Sequence, residues 1–274
     1  MDLPEELSLA VDGPVATLTI DRQAKRNAFA LRMWQAIPDV ARVVEDDGAV
    51  RVLVIRGAGD GPFSAGADIA EFQTVRKGEE AAAAYSEVVH AAERALATMT
   101  KPTVALIQGW CVGGGCELAL ACDIRIADDT AKFGITPSKL GVVYHQMSTA
   151  RVVETVGPAW ARYILFTGEL LDSEVALRIG LVHEVHPVDQ AAAKAYALAE
   201  TLAKRAPITL AGAKQLIARA AEGRAADDEW SHRWYRASYA SRDYAEGVAA
   251  FVDKRQPDFT TIPWPKLDQD SAPA

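Results

Sequence analysis

"KPTVALIQGWCVGGGCELALACDIRIA", residues 101–127, contains the alternation on which the fold turns. An apolar, β-branched run closes at Gly109, three glycines follow at 113–115, a helix-like segment begins near Cys116, and "IRIAD" has the look of a second strand. In that helix-like segment a single carboxylate, Glu117, stands directly behind the glycines in apolar company. Burying an ionised carboxylate is costly unless it is paired, hydrogen-bonded or neutralised by a raised pKa. Such a residue marks a use.

The same alternation extends outward. "LSLAVDGPVATLTID" (7–21) alternates apolar and polar residues on both sides of Asp12-Gly13-Pro14, the pattern of a hairpin. "NAFALRMWQAIPDVARVVEDD" (27–47) and "AAAAYSEVVHAAERALATMT" (81–100) have helical spacing, and "VRVLVIRGAG" (50–59) reads as a buried strand between them. The short strands "IRIAD" and "AKFGI" follow the glycine segment. Alternation of this kind predicts an α/β core with both sheet faces covered. From Pro158 onward the pattern turns helical, over 158–171, 172–182, 190–206, 208–223 and a single long helix over 229–255. The tail after Phe259, rich in proline and small polar residues, is expected to be poorly ordered.

Composition narrows the function. The chain has 274 residues, half of them hydrophobic, enough for one substantial core with an appendage, and a net charge of −8 from 29 basic and 37 acidic residues. That balance leaves no basic footprint for nucleic acid and no polybasic membrane anchor. The charge-free segment Pro102–Cys116 is too short to span a bilayer. "MDLPEELSLAV" has no positively charged lead into an apolar run, so no secretory signal is expected. Cys111, Cys116 and Cys122 lie in apolar surroundings without metal spacing to histidine, which points to buried, reduced thiols in a cytoplasmic protein. No metal is expected, since His90, His183, His186 and His232 show no ligand spacing.

Gly113, Gly114 and Gly115 precede a helix, so their backbone N–H groups can point at an anion, or can simply make a tight turn. No Gly-Lys-Ser/Thr follows, and the spacing of a dinucleotide fingerprint is absent. "FSAGADIAEF" (63–72) has the same layout of strand, small residues and helix start. Two such turns after successive parallel strands would each offer one backbone N–H to a single oxyanion.

Six segments in order, "NAFA", "FSAGADI", "KPTVALIQGWCVGGGCELALACDIRIA", "AKFGITPSKLGVVY", "LFTGELLDSEVALRIGLVHEV" and "SRDYAEGVAAFVDKRQPDF", resemble the enoyl-CoA hydratase/isomerase (crotonase) family over nearly the whole chain. The resemblance implies a crotonase-like spiral of ββα turns over 1–200, with a helical trimerisation region and tail over 201–274, assembled as homotrimers or hexamers. It implies an acyl-CoA thioester substrate and no cofactor beyond the coenzyme A of that substrate. By position, Ala67 and Gly114 would supply oxyanion-hole amides, and Glu117 would be the first of the two hydratase glutamates. The second falls on Pro137, which has no proton to exchange. Tyr144 and His145 follow "LGVV" instead, with Tyr144 open to a catalytic role or to one as pocket wall, and "TPxxLGVxY" resembles the methylmalonyl-CoA decarboxylase branch. The expected reaction is therefore hydratase- or isomerase-like chemistry through a thioester enolate, with decarboxylation of a 2-carboxyacyl-CoA, or acyl-CoA binding without catalysis, as alternatives. For coenzyme A the resemblance implies contacts from Arg22, Lys25 and Arg26, from Ala65, Asp68 and Ile69 around the adenine, and from Phe251 and Lys254 of a neighbouring subunit.

Overall fold

The computed structural model describes residues 2–265. Strands β1 (Leu7–Asp12) and β2 (Val15–Ile20) form the expected antiparallel hairpin, turned at Gly13 with φ +54°. Next come helix α1 (Leu31–Asp46), strand β3 (Val52–Gly57), the single turn α2 (Phe72–Val75), helix α3 (Glu79–Ala97) and strand β4 (Thr103–Ile107). Strand β5 (Trp110–Val112), helix α4 (Gly114–Leu120), and strands β6 (Ile124–Asp128) and β7 (Lys132–Gly134) complete the central segment. After helix α5 (Gln146–Thr167) come strand β8 (Leu171–Asp172), helix α6 (Ser173–Arg178) and strand β9 (Glu184–His186). Four helices follow: α7 (Val188–Ala203), α8 (Pro207–Ala221), α9 (Glu229–Tyr239) and α10 (Arg242–Val252).

The six-stranded sheet has the order β1-β2-β3-β4-β6-β9, parallel from β2 onward, and β5-β7-β8 make a second, smaller sheet. The chain passes from one sheet to the other at Gly109, whose φ of +56° suits glycine. Alternate residues of each central strand serve opposite faces. Val52, Val54, Val104, Leu106 and Ile126 meet α7, while Leu53, Ile55, Ala105 and Ile107 meet the α1/α3 side. Burial on both faces explains why these strands read as continuous apolar runs. In α7 the contact is made by Ala191, Ala195, Ala199 and Ala203, a four-residue repeat of small side chains that lets the helix sit flat on the sheet. Helix α1 buries Met33, Trp34, Ile37, Val40, Ala41 and Val44 in the main core.

Several expectations need correction. Helical structure begins at Gln146 rather than Pro158, and the two helical pieces of α5 meet at Gly157 with φ +74°. Its C-terminus is Thr167, capped by left-handed Gly168, and Leu171 belongs to β8. The single helix expected over 229–255 is two, since Ser241 caps a new start by accepting from the Tyr244 N–H at 3.0 Å. The tail after Phe259 is held as far as Trp264: Arg51 Nη2 donates to the carbonyls of Phe259, Thr260 and Ile262 at 3.1, 2.8 and 2.5 Å, and Trp264 Nε1 donates to Thr100 Oγ1 at 2.6 Å. Residues 266–274 lie outside the described residues. The three cysteines are free and buried, as expected. No helix among the described residues is long and apolar enough to cross a membrane.

Candidate active site

The segment 63–68 is threaded between two others. Phe63 and Ser64 donate their N–H groups to the carbonyls of Gln108 and Trp110, and Val112 N–H returns to Ser64 O at 2.9 Å. On the other side Phe29 N–H donates to Gly66 O at 2.7 Å, and Asp68 N–H to Phe29 O at 2.8 Å. The Ser64 hydroxyl donates to Asn27 O and accepts from Gly66 N–H. Among the described residues, Ala67 N–H is left with no protein acceptor. Across from it Gly113 N–H goes to Gly134 O at 2.7 Å, and Gly114, the first residue of α4, likewise has no acceptor for its N–H.

The glycines set this approach. A Cβ on Gly66, whose φ is +97°, would lie 2.7 Å from Val112 O and 3.2 Å from Gly114 N. One on Gly114 would lie 3.7 Å from Ala67 N and 2.9 Å from the Trp34 ring. The two amides without acceptors therefore lie close together across the approach of these segments. Gly115 is tighter against backbone, a Cβ there falling 2.6 Å from Ser64 O. Gly115→Ala is expected to cost about 1–3 kcal/mol as an overpacking change, measured as a lowered Tm.

Glu117 projects from α4 into the same cleft, alongside Ala65, Ala67, Gly114, Pro137, Tyr144 and Ser148. Its side chain is buried, and burial together with the charge of Glu93 pushes its pKa up to about 8. The Ser148 hydroxyl and the more distant Arg151 and Arg76 pull the other way. Tyr144 lies against the core at the edge of the cleft, and burial, then the Glu117 charge, puts its hydroxyl well above the usual range. Trp34, Phe72, Tyr85, Val89, Leu140 and Val142 form the walls.

Sequence reasoning missed Glu93. It projects from α3 with no exposure at all, behind Glu117 and outside the cleft lining, and its Oε2 accepts from Arg151 Nη1 at 2.8 Å and Ser148 Oγ at 3.4 Å. Burial raises its pKa despite Arg151, and its Oε1 has no partner. The available signal was periodicity, because Glu93 falls on the stripe Tyr85, Val89, Ala92, Leu96 that α3 presents to the core. Arg76, Tyr85 and His90, also in the cleft, were missed too. Glu93→Gln removes the charge behind Glu117, so the Glu117 pKa is expected to fall toward the ordinary carboxylate range. A difference-infrared titration of the Glu117 carboxyl band checks this, and an unmoved midpoint would contradict it.

The residues assigned to coenzyme A are not all brought together. Ala65 and Ile69 line the cleft. Arg22 and Asp68 pair with each other at 2.8 Å; burial would raise the Asp68 pKa, but Arg22 brings it below the usual value. Lys25 and Arg26 are exposed, Arg26 lying 5.4 Å from the Trp110 ring centroid. Phe251 and Lys254 are exposed at the end of α10 and do not line the cleft of their own chain. Among the described residues no cluster of metal-ligating side chains occurs.

A parallel sheet that hands its chain to a second sheet, with two free amides and a buried glutamate at the crossing, defines an α/β fold of the crotonase type. The family model for enoyl-CoA hydratase/isomerase matches residues 11–262, and the chain belongs to that family. It is 33% identical over 259 residues to the crotonyl-CoA hydratase of Syntrophomonas wolfei, covering 93% of this chain and 98% of that one. It is 31% identical over 252 residues to the short-chain-enoyl-CoA hydratase of Clostridium acetobutylicum, covering 90% and 95%. Among solved structures, an enoyl-CoA hydratase/carnithine racemase from Magnetospirillum magneticum superposes with a TM-score of 0.89 at 36% identity, covering 93% and 96%.

Proposed function

We propose that this protein is an acyl-CoA enzyme that receives a thioester oxygen on the N–H groups of Ala67 and Gly114 and transfers a proton through Glu117. The observation that carries the reading is the pair of neighbouring amides, both without acceptors among the described residues, beside a buried glutamate in one cleft. Negative charge that develops on a carbonyl oxygen is stabilised most by donors fixed in advance in a water-poor site, typically by several kcal/mol. A carboxyl group titrating near neutrality is suited both to give and to take a proton.

Three reactions share that enolate. In hydration, water gives up a proton as its oxygen bonds to C3, the double-bond electrons move to the thioester oxygen, and C2 then takes a proton as the carbonyl re-forms. In isomerisation, a proton leaves C2 and one returns at C4. In decarboxylation, the bond from C2 to its carboxylate breaks, CO2 departs, its bonding electrons form the enolate, and C2 takes a proton. Buried Pro137 lines the cleft and stands, by sequence position, where two-glutamate members of the family carry their second carboxylate, which favours the third reaction over efficient hydration. Tyr144 is positioned to serve as wall or donor in each. We assign Phe251 and Lys254, exposed and outside the cleft of their own chain, to a neighbouring subunit, with residues 201–274 as the oligomerisation region of a cytoplasmic trimer or hexamer.

The deciding experiment incubates the protein with crotonyl-, 3-enoyl- and methylmalonyl-CoA and weighs the products. A gain of water, an unchanged mass with a moved double bond, or a loss of CO2 identifies the reaction. Tight binding with no product from any of them would leave acyl-CoA binding without catalysis.

A further inference from the structure

Arg76 follows α2 and its half-buried side chain lines the cleft that holds Glu117. Its guanidinium lies 4.3 Å from the Phe72 ring centroid and 5.0 Å from that of Tyr85, which fixes its plane without neutralising its charge. Among the described residues it forms no ion pair and donates no hydrogen bond. Glu71, Glu93 and Glu87 have other partners. Glu71 accepts from Leu31 N–H at 2.9 Å, Glu93 is paired with Arg151, and Glu87 stands 4.0 Å from His90 Nδ1. The carboxyl in the cleft lining, Glu117, has its pKa pushed up to about 8, and Arg76 is the weakest of the named influences on it. The Tyr85 hydroxyl is itself buried, next to Trp34, and the His90 and His145 rings meet edge to face at 4.3 Å on the cleft wall. This end of the cleft therefore presents one unpaired positive charge to whatever the acyl group brings. An aliphatic chain would leave it unanswered.

We propose that the acyl group accepted here carries a carboxylate of its own, received by the Arg76 guanidinium, so that the substrate is a monothioester of a dicarboxylic acid. The inference rests on the acyl-CoA reading above and holds for any of its three reactions. A carboxylate and a guanidinium form charge-assisted hydrogen bonds stronger than neutral ones, so the preference belongs in binding as well as in turnover.

Unreactive thioethers of coenzyme A test it by calorimetry: S-carboxyalkyl-CoA with one to four methylenes, each against the S-alkyl-CoA of equal length. At the best length the carboxylated ligand is expected to bind at least tenfold more tightly. Arg76→Gln should reduce that preference to below threefold, while Arg76→Lys, which keeps the charge, should retain part of it. Equal or weaker binding of the carboxylated ligand at every length, or a preference untouched in Arg76→Gln, would overturn the proposal. Free coenzyme A is the control for its phosphates. If Arg76→Gln weakens free coenzyme A as much as the carboxylated thioether, Arg76 serves the nucleotide and the proposal also falls. Turnover of the Glu117→Gln variant reports separately on the underlying reading. Retained turnover there would remove the Glu117 assignment, whatever the thioethers show.

Discussion

Glu117→Gln is expected to lower turnover by roughly a hundredfold to ten-thousandfold while acyl-CoA binding changes little. The amide keeps the volume of the carboxyl and loses its titratable proton. Stability supplies a second readout, because the folded-state pKa of Glu117 is raised from the ordinary 4.5 to about 8 by burial and by Glu93. Between those values the folded protein holds a proton that the unfolded chain releases. The stability from Glu117 is therefore complete below about pH 4.5, is lost progressively as pH rises, and is gone above about pH 8. Each unit of such a displacement corresponds to about 1.4 kcal/mol. The Gln variant lacks this slope, so relative to the parent it should gain in Tm between pH 5 and pH 8. Parallel Tm curves together with normal turnover would make Glu117 an ordinary buried side chain.

How much of this could be read from sequence differs between the fold and the site. The hairpin at Asp12-Gly13-Pro14, α1, α3 and strands β3, β4 and β6 were legible because each carries its own period and its own stop. The start of α5 was not, because Gln146–Gly157 mixes polar and apolar residues and buries only Ser148, Val152 and Val156 of its own. The cap at Ser241 was overlooked within a sequence of otherwise continuous helical pattern. The order of the tail depends on Arg51, more than 200 positions away in the chain, and no local pattern announces such a contact. In the candidate site, Ala67, Gly114 and Glu117 were picked out by the glycines and the family resemblance, and the fold brings the three to one cleft. Glu93 was hidden because a glutamate in "HAAERAL" usually lies on a solvated helix face. What buries it is the approach of Ser148 and Arg151 on α5, the helix whose beginning was also missed.

Ala67→Pro is expected to lower turnover by about a hundredfold or more, the usual scale for loss of one oxyanion donor. That corresponds to about 2.7 kcal/mol of transition-state stabilisation. The substitution is selective. Proline removes the N–H, and in this fold that N–H has no acceptor to lose. The Cβ is already present in alanine, and the preceding residue is a glycine, whose carbonyl can go on accepting from Phe29 N–H. The opposite amide offers no such clean change, since any side chain at Gly114 would strike Trp34. A Tm near that of the parent would establish that Ala67→Pro has folded. A folded variant with parental turnover would then remove Ala67 from the site. The double variant with Glu117→Gln carries the argument one step further. If both groups act on one enolate, the proton transfer that Glu117 performs is worth less once the enolate is poorly held, and the combined loss should fall short of the product of the single losses. Losses that multiply in full would instead mean that the amide and the carboxyl act on separate steps.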